Sequence, residues 1–332
     1  MPNAADRVSA DNAGWKVVIV CGLASYSTFS LFGHSNPTGF ALLRHAHGLA
    51  GLNRAAHKLE SSSRALDRFP GLKPKVLDLL RSWHVSWWNN DRAIQRRSFW
   101  AKEVEESMQP LSWALESLKE EPAVVVELCA GKAVFSQLLS HLAPASSIQR
   151  LMLLDIGYRE RHQVIKQGVH RRCTVLPQIE LANETASIPL ELWGTDLHHE
   201  HVKSTLAGLR RSGHRILLVG IHLCKSLSIE AIELFNAYSD ELYLAPCCLP
   251  GRSKKFKRSG NASVYTDNIY LARGSDILAA RSPFARWSRL LAEKMEAFSD
   301  ITISRVPFMH GVRPKNLYIR GRKARLRPRL EV

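Results

Sequence analysis

The sequence has few cysteines and no apolar run long enough to span a membrane. Six cysteines are spread over 332 residues, and only Cys247 and Cys248 are adjacent. This number is too small for a disulfide framework, so we expect free thiols in a reducing compartment. The apolar stretch from Val17 to Phe32 is shorter than the ~20 residues that a spanning helix needs, and no stable membrane insertion is predicted.

Acidic residues are absent between Asp11 and Glu60, where arginine, lysine and serine are scattered. This composition is typical of an organelle transit peptide. A signal-like apolar segment ahead of a transit segment, a transit peptide alone and a disordered start of the chain are the alternatives. We therefore expect residues 1–60 to be a targeting or disordered segment. A transit peptide would direct the protein to a mitochondrion or plastid, and otherwise the cytoplasm is expected.

The positive charge is distributed unevenly along the chain. The 46 basic and 30 acidic residues leave a balance of +4 over residues 1–120, −1 over 121–246 and +13 over 247–332. Lysines that only keep a protein soluble would be spread evenly. The excess in the C-terminal quarter therefore favours a polyanionic partner.

Apolar residues recur at helical spacing from Leu72 to Leu118, which predicts a helical N-terminal region over residues 61–120. Five tryptophans lie in this stretch: Trp83, Trp87, Trp88, Trp100 and Trp113. They could stack on nucleic-acid bases, but their helical spacing favours a role in the core.

After Pro122, short apolar runs alternate with helical segments. The runs cover residues 124–128, 151–156, 190–193, 216–223, 242–244, 301–306 and 317–319. Continuous apolar runs joined by long linkers indicate a Rossmann-like α/β fold with a mostly parallel sheet. The last linker is too short for a crossover helix, so the sheet should end in an antiparallel strand. This domain is expected over residues 121–324, with a basic tail over 325–332.

A strand-loop-helix segment carries the strongest local signal. The first run contains Glu127 near its end, small residues follow at Cys129, Gly131 and Ala133, and a helical pattern begins after them. Small side chains let the backbone turn sharply and let a ligand lie against it, so a nucleotide-type ligand is expected. Asp155, at the end of the next run, is placed to accept hydrogen bonds from ribose hydroxyls.

The loop lacks the G-x-G-x-x-G pattern of dinucleotide-binding proteins, because cysteine occupies the first glycine position. It resembles motif I of class I S-adenosylmethionine-dependent methyltransferases instead. Two later motifs, His222-Leu-Cys224 and Cys247-Cys248, resemble the H-L-C and C-C signatures of the family that contains the tRNA acceptor-stem 2′-O-methyltransferases. This resemblance extends from about Pro122 to Lys323.

The sequence also departs from that family. Lys225 stands where the tRNA enzymes have glycine after H-L-C, and Leu249-Pro250 stands where they have histidine after C-C. Their N-terminal Cys/His zinc module is absent, because no cysteine lies between Cys21 and Cys129. The substrate therefore does not follow from the resemblance.

The resemblance implies S-adenosylmethionine as the cofactor and gives roles to individual residues. Glu127, Cys129 and Gly131 would frame its methionine and ribose, Asp155 would hold the ribose hydroxyls, and Asp196 and Leu197 would lie near the adenine.

His222 is a candidate general base because histidine titrates near neutral pH, although it could instead be a buried residue that fixes a loop. Cys247 or Cys248 could be a nucleophile, as in carbon methylation of pyrimidines. No metal site is expected. Cys224, Cys247, Cys248 and His222 contain no C-x₂-C spacing, and two adjacent cysteines fit tetrahedral coordination poorly.

RNA is the acceptor that the charge pattern favours. Basic residues follow the fifth strand and would hold the RNA backbone next to Pro246, at Arg252, Lys254, Lys255, Lys257 and Arg258. A protein or small-molecule methyltransferase is the first alternative. A catalytically silent methyltransferase fold that serves as an RNA-binding factor is the second.

Overall fold

Apolar runs form the strands of one central sheet with helices on both faces. A computed structural model describes residues 52–86, 99–158, 176–224, 226–249, 277, 280–295, 299–307 and 317–324. The strands are β1 (Ala123–Leu128), β2 (Ile148–Leu154), β3 (Leu190–Trp193), β4 (Ile216–Cys224), β5 (Glu241–Cys248), β6 (Ser299–Arg305) and β7 (Leu317–Lys323). The helices of the described residues are 52–62 (α1), Arg64–Asp67 (α2), Lys73–Ser86 (α3), Phe99–Glu120 (α4), Val134–Leu142 (α5), Leu176–Thr185 (α6), Glu200–Arg211 (α7), Ser226–Tyr238 (α8) and Pro283–Ala292 (α9).

The strand order β3-β2-β1-β4-β5-β7-β6 confirms the predicted Rossmann-like fold. Strands β1 to β5 are parallel to one another, and β7 is antiparallel to both β5 and β6. The antiparallel strand is last in the sequence but second from the edge of the sheet, because β6 lies outside it. All six residues of β1 are buried, as expected for a central strand that is covered on both faces.

The two faces of the sheet carry separate apolar layers. Alternate residues of β1, such as Val125, pack with helices α1 to α6 on one face. The residues between them, such as Val124 and Val126, pack with α7, α8 and α9 on the other. This alternation follows from the two-residue period of a strand. The parallel strands are therefore fixed in register, and their carboxyl ends meet at one edge.

The N-terminal helices belong to the same core as the sheet. Residues 52–60, expected within the targeting or disordered segment, form most of α1, and its Leu52, Ala56 and Leu59 are fully buried. Residues 52–60 therefore belong to the folded core, because the apolar face of this helix joins the buried cluster that covers one face of the sheet. The targeting prediction for residues 1–51 lies outside the described residues. None of the described helices meets the length and hydropathy of a membrane span.

Three of the five tryptophans are described, and all three are buried. Trp83 and Trp100 lie with their ring centroids 5.9 Å apart, and Trp113 packs 5.8 Å from Tyr243. The core role that helical spacing predicted is confirmed for these three. Trp87 and Trp88 lie outside the described residues.

A buried ion-pair network ties β7 to the rest of the sheet. Glu241, at the start of β5, bonds Arg215 at 2.5 Å and Arg320 at 3.2 Å, and Arg322 lies 3.4 Å away. Arg320 and Arg322 also pair with acidic residues of α4. Part of the C-terminal positive charge is therefore neutralised inside the fold.

Candidate active site

A tight bend connects β1 to α5 at the carboxyl edge of the sheet. Cys129, Gly131 and Ala133 have φ angles of +52°, +54° and +54°, so every second residue of the bend is left-handed. Left-handed backbone is costly for residues with bulky side chains, which explains why small residues occupy these positions. The prediction of a sharp turn built from small residues is confirmed.

Asp155 lies directly against this bend. Its Oδ2 accepts a hydrogen bond from the Gly131 amide at 2.9 Å, and its Oδ1 accepts one from the Gly157 amide at 2.6 Å. The Tyr158 hydroxyl donates to the Gly131 carbonyl at 2.8 Å. Among the described residues, a Cβ built on Gly131 would meet only the Cys129 carbonyl oxygen, at 3.9 Å. As far as the described residues show, the side of the bend next to Gly131 therefore has room for a ligand.

Glu127 supports the bend from within the core. It is buried, and its Oε2 accepts hydrogen bonds from the amide of Ser136 at 3.2 Å and from its hydroxyl at 2.5 Å. Burial raises the pKa of Glu127 to about 8, although the Ser136 hydrogen bonds act in the opposite direction. The carboxyl group is therefore mostly protonated at neutral pH. These contacts hold the first turn of α5, and direct binding of a cofactor by Glu127 stays a prediction.

The ends of β2, β3 and β4 bring further polar groups to the same place. Burial raises the pKa of Cys129 to about 12, and the nearby groups of Asp155, Asp196 and Cys224 add to this rise. Asp196 follows β3 and accepts a hydrogen bond from the His198 amide at 3.0 Å, and Leu197 is buried. Two carboxylates predicted to bind the cofactor thus flank the bend.

His222 occupies a bulge near the end of β4. Strand pairing passes from Ile221 to Leu223, so His222 is the extra residue, and its φ angle is +64°. A bulge turns a side chain away from its regular direction. The His222 Nε2 lies 2.6 Å from Oε2 of Glu106 on α4, and its side chain is 32% exposed. The structure thus joins the predicted general base to a buried carboxylate.

Helix α4 forms one wall of the site. Burial alone raises the pKa of Glu106, but hydrogen bonds from His222 and Lys102 outweigh burial and hold it below its ordinary value. One turn earlier, Glu103 pairs with Lys132 of the bend at 3.1 Å. The sequence prediction missed both glutamates. Helical periodicity shows which face of α4 is buried, but it does not show that this face packs against the end of β4.

Three cysteines converge beside His222. The Sγ atom of Cys224 lies 2.8 Å from that of Cys247 and 3.2 Å from that of Cys248. Burial and the two neighbouring thiols raise the pKa of Cys247 far above its ordinary value. A protonated thiol is a weak nucleophile, so this environment does not favour the nucleophilic role predicted for Cys247. Pro246, predicted to lie near the acceptor, is buried in the same strand.

The basic residues predicted to bind substrate, Arg252, Lys254, Lys255, Lys257 and Arg258, lie outside the described residues. The same holds for Lys225, Pro250 and the tail from residue 325. The described part of the site therefore consists of the bend, Asp155, Asp196 and the His222–Glu106 pair.

No protein-family model matches the chain, and no curated protein matches it. Solved structures with a similar fold include the ribosomal protein L11 methylase of Lactobacillus delbrueckii subsp. bulgaricus. It is 11% identical with a TM-score of 0.34, and the match covers 68% of this chain and 80% of that one. The CurJ carbon methyltransferase is 10% identical with a TM-score of 0.38, and the match covers 88% of this chain and 72% of that one. These likenesses concern the fold alone.

Proposed function

We propose that this chain is a class I S-adenosylmethionine-dependent methyltransferase and that its acceptor is RNA. One observation carries the cofactor part of the proposal: a bend of alternating left-handed residues whose central glycine amide is bonded to Asp155. In open α/β sheets, ligands bind at the carboxyl ends of the strands, next to such a bend. A carboxylate at the end of the neighbouring strand suits a ligand with ribose hydroxyls.

The residues present fit this cofactor. The two Asp155 oxygens each accept a backbone hydrogen bond and each retain a second lone pair for a hydroxyl donor. The open side of Gly131 leaves room for a ligand against the backbone. Asp196 and Leu197 follow the adjacent strand, where the adenine is expected. When bound, S-adenosylmethionine supplies a methyl group that its sulfonium already activates.

His222 accepts the proton of the acceptor in this proposal. The lowered pKa of Glu106 keeps its carboxylate ionised, so the His222 Nε2 must carry the hydrogen that joins the two groups. The Nδ1 atom is then the basic nitrogen. Glu106 fixes this tautomer and stabilises the ring once it is protonated, as a carboxylate does in a catalytic triad.

RNA is proposed from the charge distribution. Residues 247–332 carry a balance of +13. Arg320 and Arg322 belong to β7 and are paired with glutamates, so they do not serve this purpose. The cations that we assign to the RNA backbone are those of the segment from Arg252 to Arg258 and of the tail after residue 324.

Calorimetry tests the cofactor part. The wild-type chain should bind S-adenosylmethionine, and Asp155→Asn should weaken binding about 10- to 100-fold, because hydrogen bonds to a charged acceptor contribute about 1.5–3 kcal/mol. Asp300→Asn is the matched control, since it removes an exposed carboxylate from the edge strand β6. A wild-type chain that binds no cofactor, or equal affinity of the two variants, would contradict the proposal.

The acceptor is tested with S-adenosylmethionine that carries a labelled methyl group. The protein is incubated with this cofactor and with total cellular RNA and protein. Nuclease, and not protease, should release the label from the macromolecular product. RNA affinity should fall with salt, and neutralising Lys254, Lys255, Lys257 and Arg258 together should reduce the slope by about one per lost phosphate contact. Label in protein, or binding that does not change with salt, would reject RNA as the acceptor.

A further inference from the structure

The three thiols at the ends of β4 and β5 form a compact cluster, which we call the thiol cluster. It consists of Cys224, Cys247 and Cys248. Their Sγ atoms are separated by 2.8 Å, 3.2 Å and 3.5 Å. Cys247 is buried, and the other two are half-buried. Three thiols at this separation can all coordinate one metal ion, and thiolates are soft ligands.

A second bulge explains how two adjacent cysteines can face the same point. Successive side chains of a regular strand point to opposite faces. Here Leu223 pairs with Pro246 and Cys224 pairs with Cys248, so Cys247 is an extra residue without a partner in the register. The bulge turns its side chain out of the regular alternation. Both adjacent cysteines can therefore direct a sulfur towards Cys224, which a regular strand would not allow.

We propose that the thiol cluster binds one Zn²⁺ ion through three thiolates and leaves a fourth position for water or another ligand. A point about 2.3 Å from all three sulfurs lies roughly 1.4 Å outside their plane, and 2.3 Å is the usual Zn–S bond length. Ideal tetrahedral angles place sulfurs about 3.8 Å apart. Small side-chain rotations that separate the sulfurs by up to about 1 Å would reach that geometry.

Zinc binding exchanges the three thiol protons for the metal ion and involves no oxidation or reduction. Three S–H bonds break, three Zn–S bonds form, and three protons pass to solvent. The ion would join the ends of β4 and β5 directly behind His222, whose carbonyl oxygen accepts a hydrogen bond from Cys247 Sγ at 3.2 Å. It would thus stabilise the bulge that orients the His222 ring. The site does not depend on the proposed methyl transfer.

Metal analysis of the full-length chain tests this site. The protein is produced with zinc supplied, kept reduced without chelators and measured by elemental mass spectrometry. The wild-type chain should hold one zinc per chain, and Cys247→Ser should bind zinc at least about 100-fold more weakly, since even outer-shell changes cost 10- to 100-fold. Cys129→Ser is the matched control, because it removes a nearby thiol outside the thiol cluster. It should retain the metal.

Cobalt binding to the wild-type chain gives a readout that depends neither on activity nor on the folding of a variant. Co²⁺ bound to thiolates shows sulfur-to-metal charge-transfer bands in the near ultraviolet, and these should be present in the wild-type chain and weaker in Cys248→Ser. A reduced wild-type chain without zinc and without these bands would overturn the site. Loss of zinc from Cys129→Ser, or copper in place of zinc, would also overturn it.

Discussion

Replacement of Glu127 by glutamine should change how stability depends on pH. Burial raises the pKa of Glu127 from 4.5 to about 8 in the folded chain, and the neighbouring carboxylates of Glu103 and Asp155 contribute to this rise. A raised folded-state pKa means that the native chain binds a proton that the unfolded chain has lost. The contribution of Glu127 to stability is therefore greatest below pH 4.5 and falls as the pH rises towards 8.

The magnitude follows from the two pKa values. Between about pH 5 and pH 7.5 this group should lower the free energy of unfolding by about 1.4 kcal/mol per pH unit, and by about 5 kcal/mol in total at alkaline pH. The glutamine variant cannot ionise, so it lacks this contribution. If glutamine and the neutral acid are equally stable, the two stability curves should differ by about 1 kcal/mol near pH 5 and by about 3 kcal/mol at pH 7.

Urea unfolding followed by tryptophan fluorescence measures this difference at several pH values. The control is Glu233→Gln, which removes an exposed carboxylate of α8 and should leave the slope of the wild-type curve unchanged. Parallel curves for the wild-type chain and Glu127→Gln would refute the reasoning, since Glu127 would then be ionised in the folded chain.

Four further changes test the same structure. Gly131→Ala places a Cβ on left-handed backbone with open space around it, so it should cost about 1–2 kcal/mol in urea unfolding and weaken cofactor binding in calorimetry. His222→Asn should lower the methyl-transfer rate about 10²- to 10⁴-fold with unchanged cofactor affinity. Arg215→Met leaves the buried Glu241 carboxylate with fewer partners and should cost about 3 kcal/mol in urea unfolding. Glu106→Gln should flatten the acid limb of the stability curve below pH 4.5, because the lowered pKa of Glu106 makes its contribution disappear as the pH falls.

Most of the sheet could be predicted because its signals are local. The apolar run at residues 190–193 became β3 with the same bounds, and the small residues of the bend each took the left-handed conformation. The position of Asp155 also followed from local information. Parallel strands bring their carboxyl ends to one edge, so a carboxylate after β2 had to lie near the bend after β1.

The contacts that depend on distant parts of the chain could not be predicted in this way. Glu106 precedes His222 by 116 residues, and nothing in either segment shows that they meet. The bulge at Cys247 breaks the two-residue period from which side-chain directions are read. The ion pairs of Arg320 in β7 with Glu116 and Glu241 likewise join segments that are 204 and 79 residues apart in the sequence.

The departures from regular structure gather at one edge of the sheet. The non-glycine residues with positive φ in the described part of the chain are Cys129, Ala133 and His222, and all three lie at the carboxyl ends of β1 and β4. Each conformation costs about 1–3 kcal/mol and persists only where the surrounding packing holds it. Strained backbone conformations of this kind are concentrated at functional sites, whereas the strands of this sheet are regular over most of their length. The backbone therefore indicates a ligand site at this edge without reference to any family, and this conclusion would stand even if the acceptor or the cofactor proved to be different.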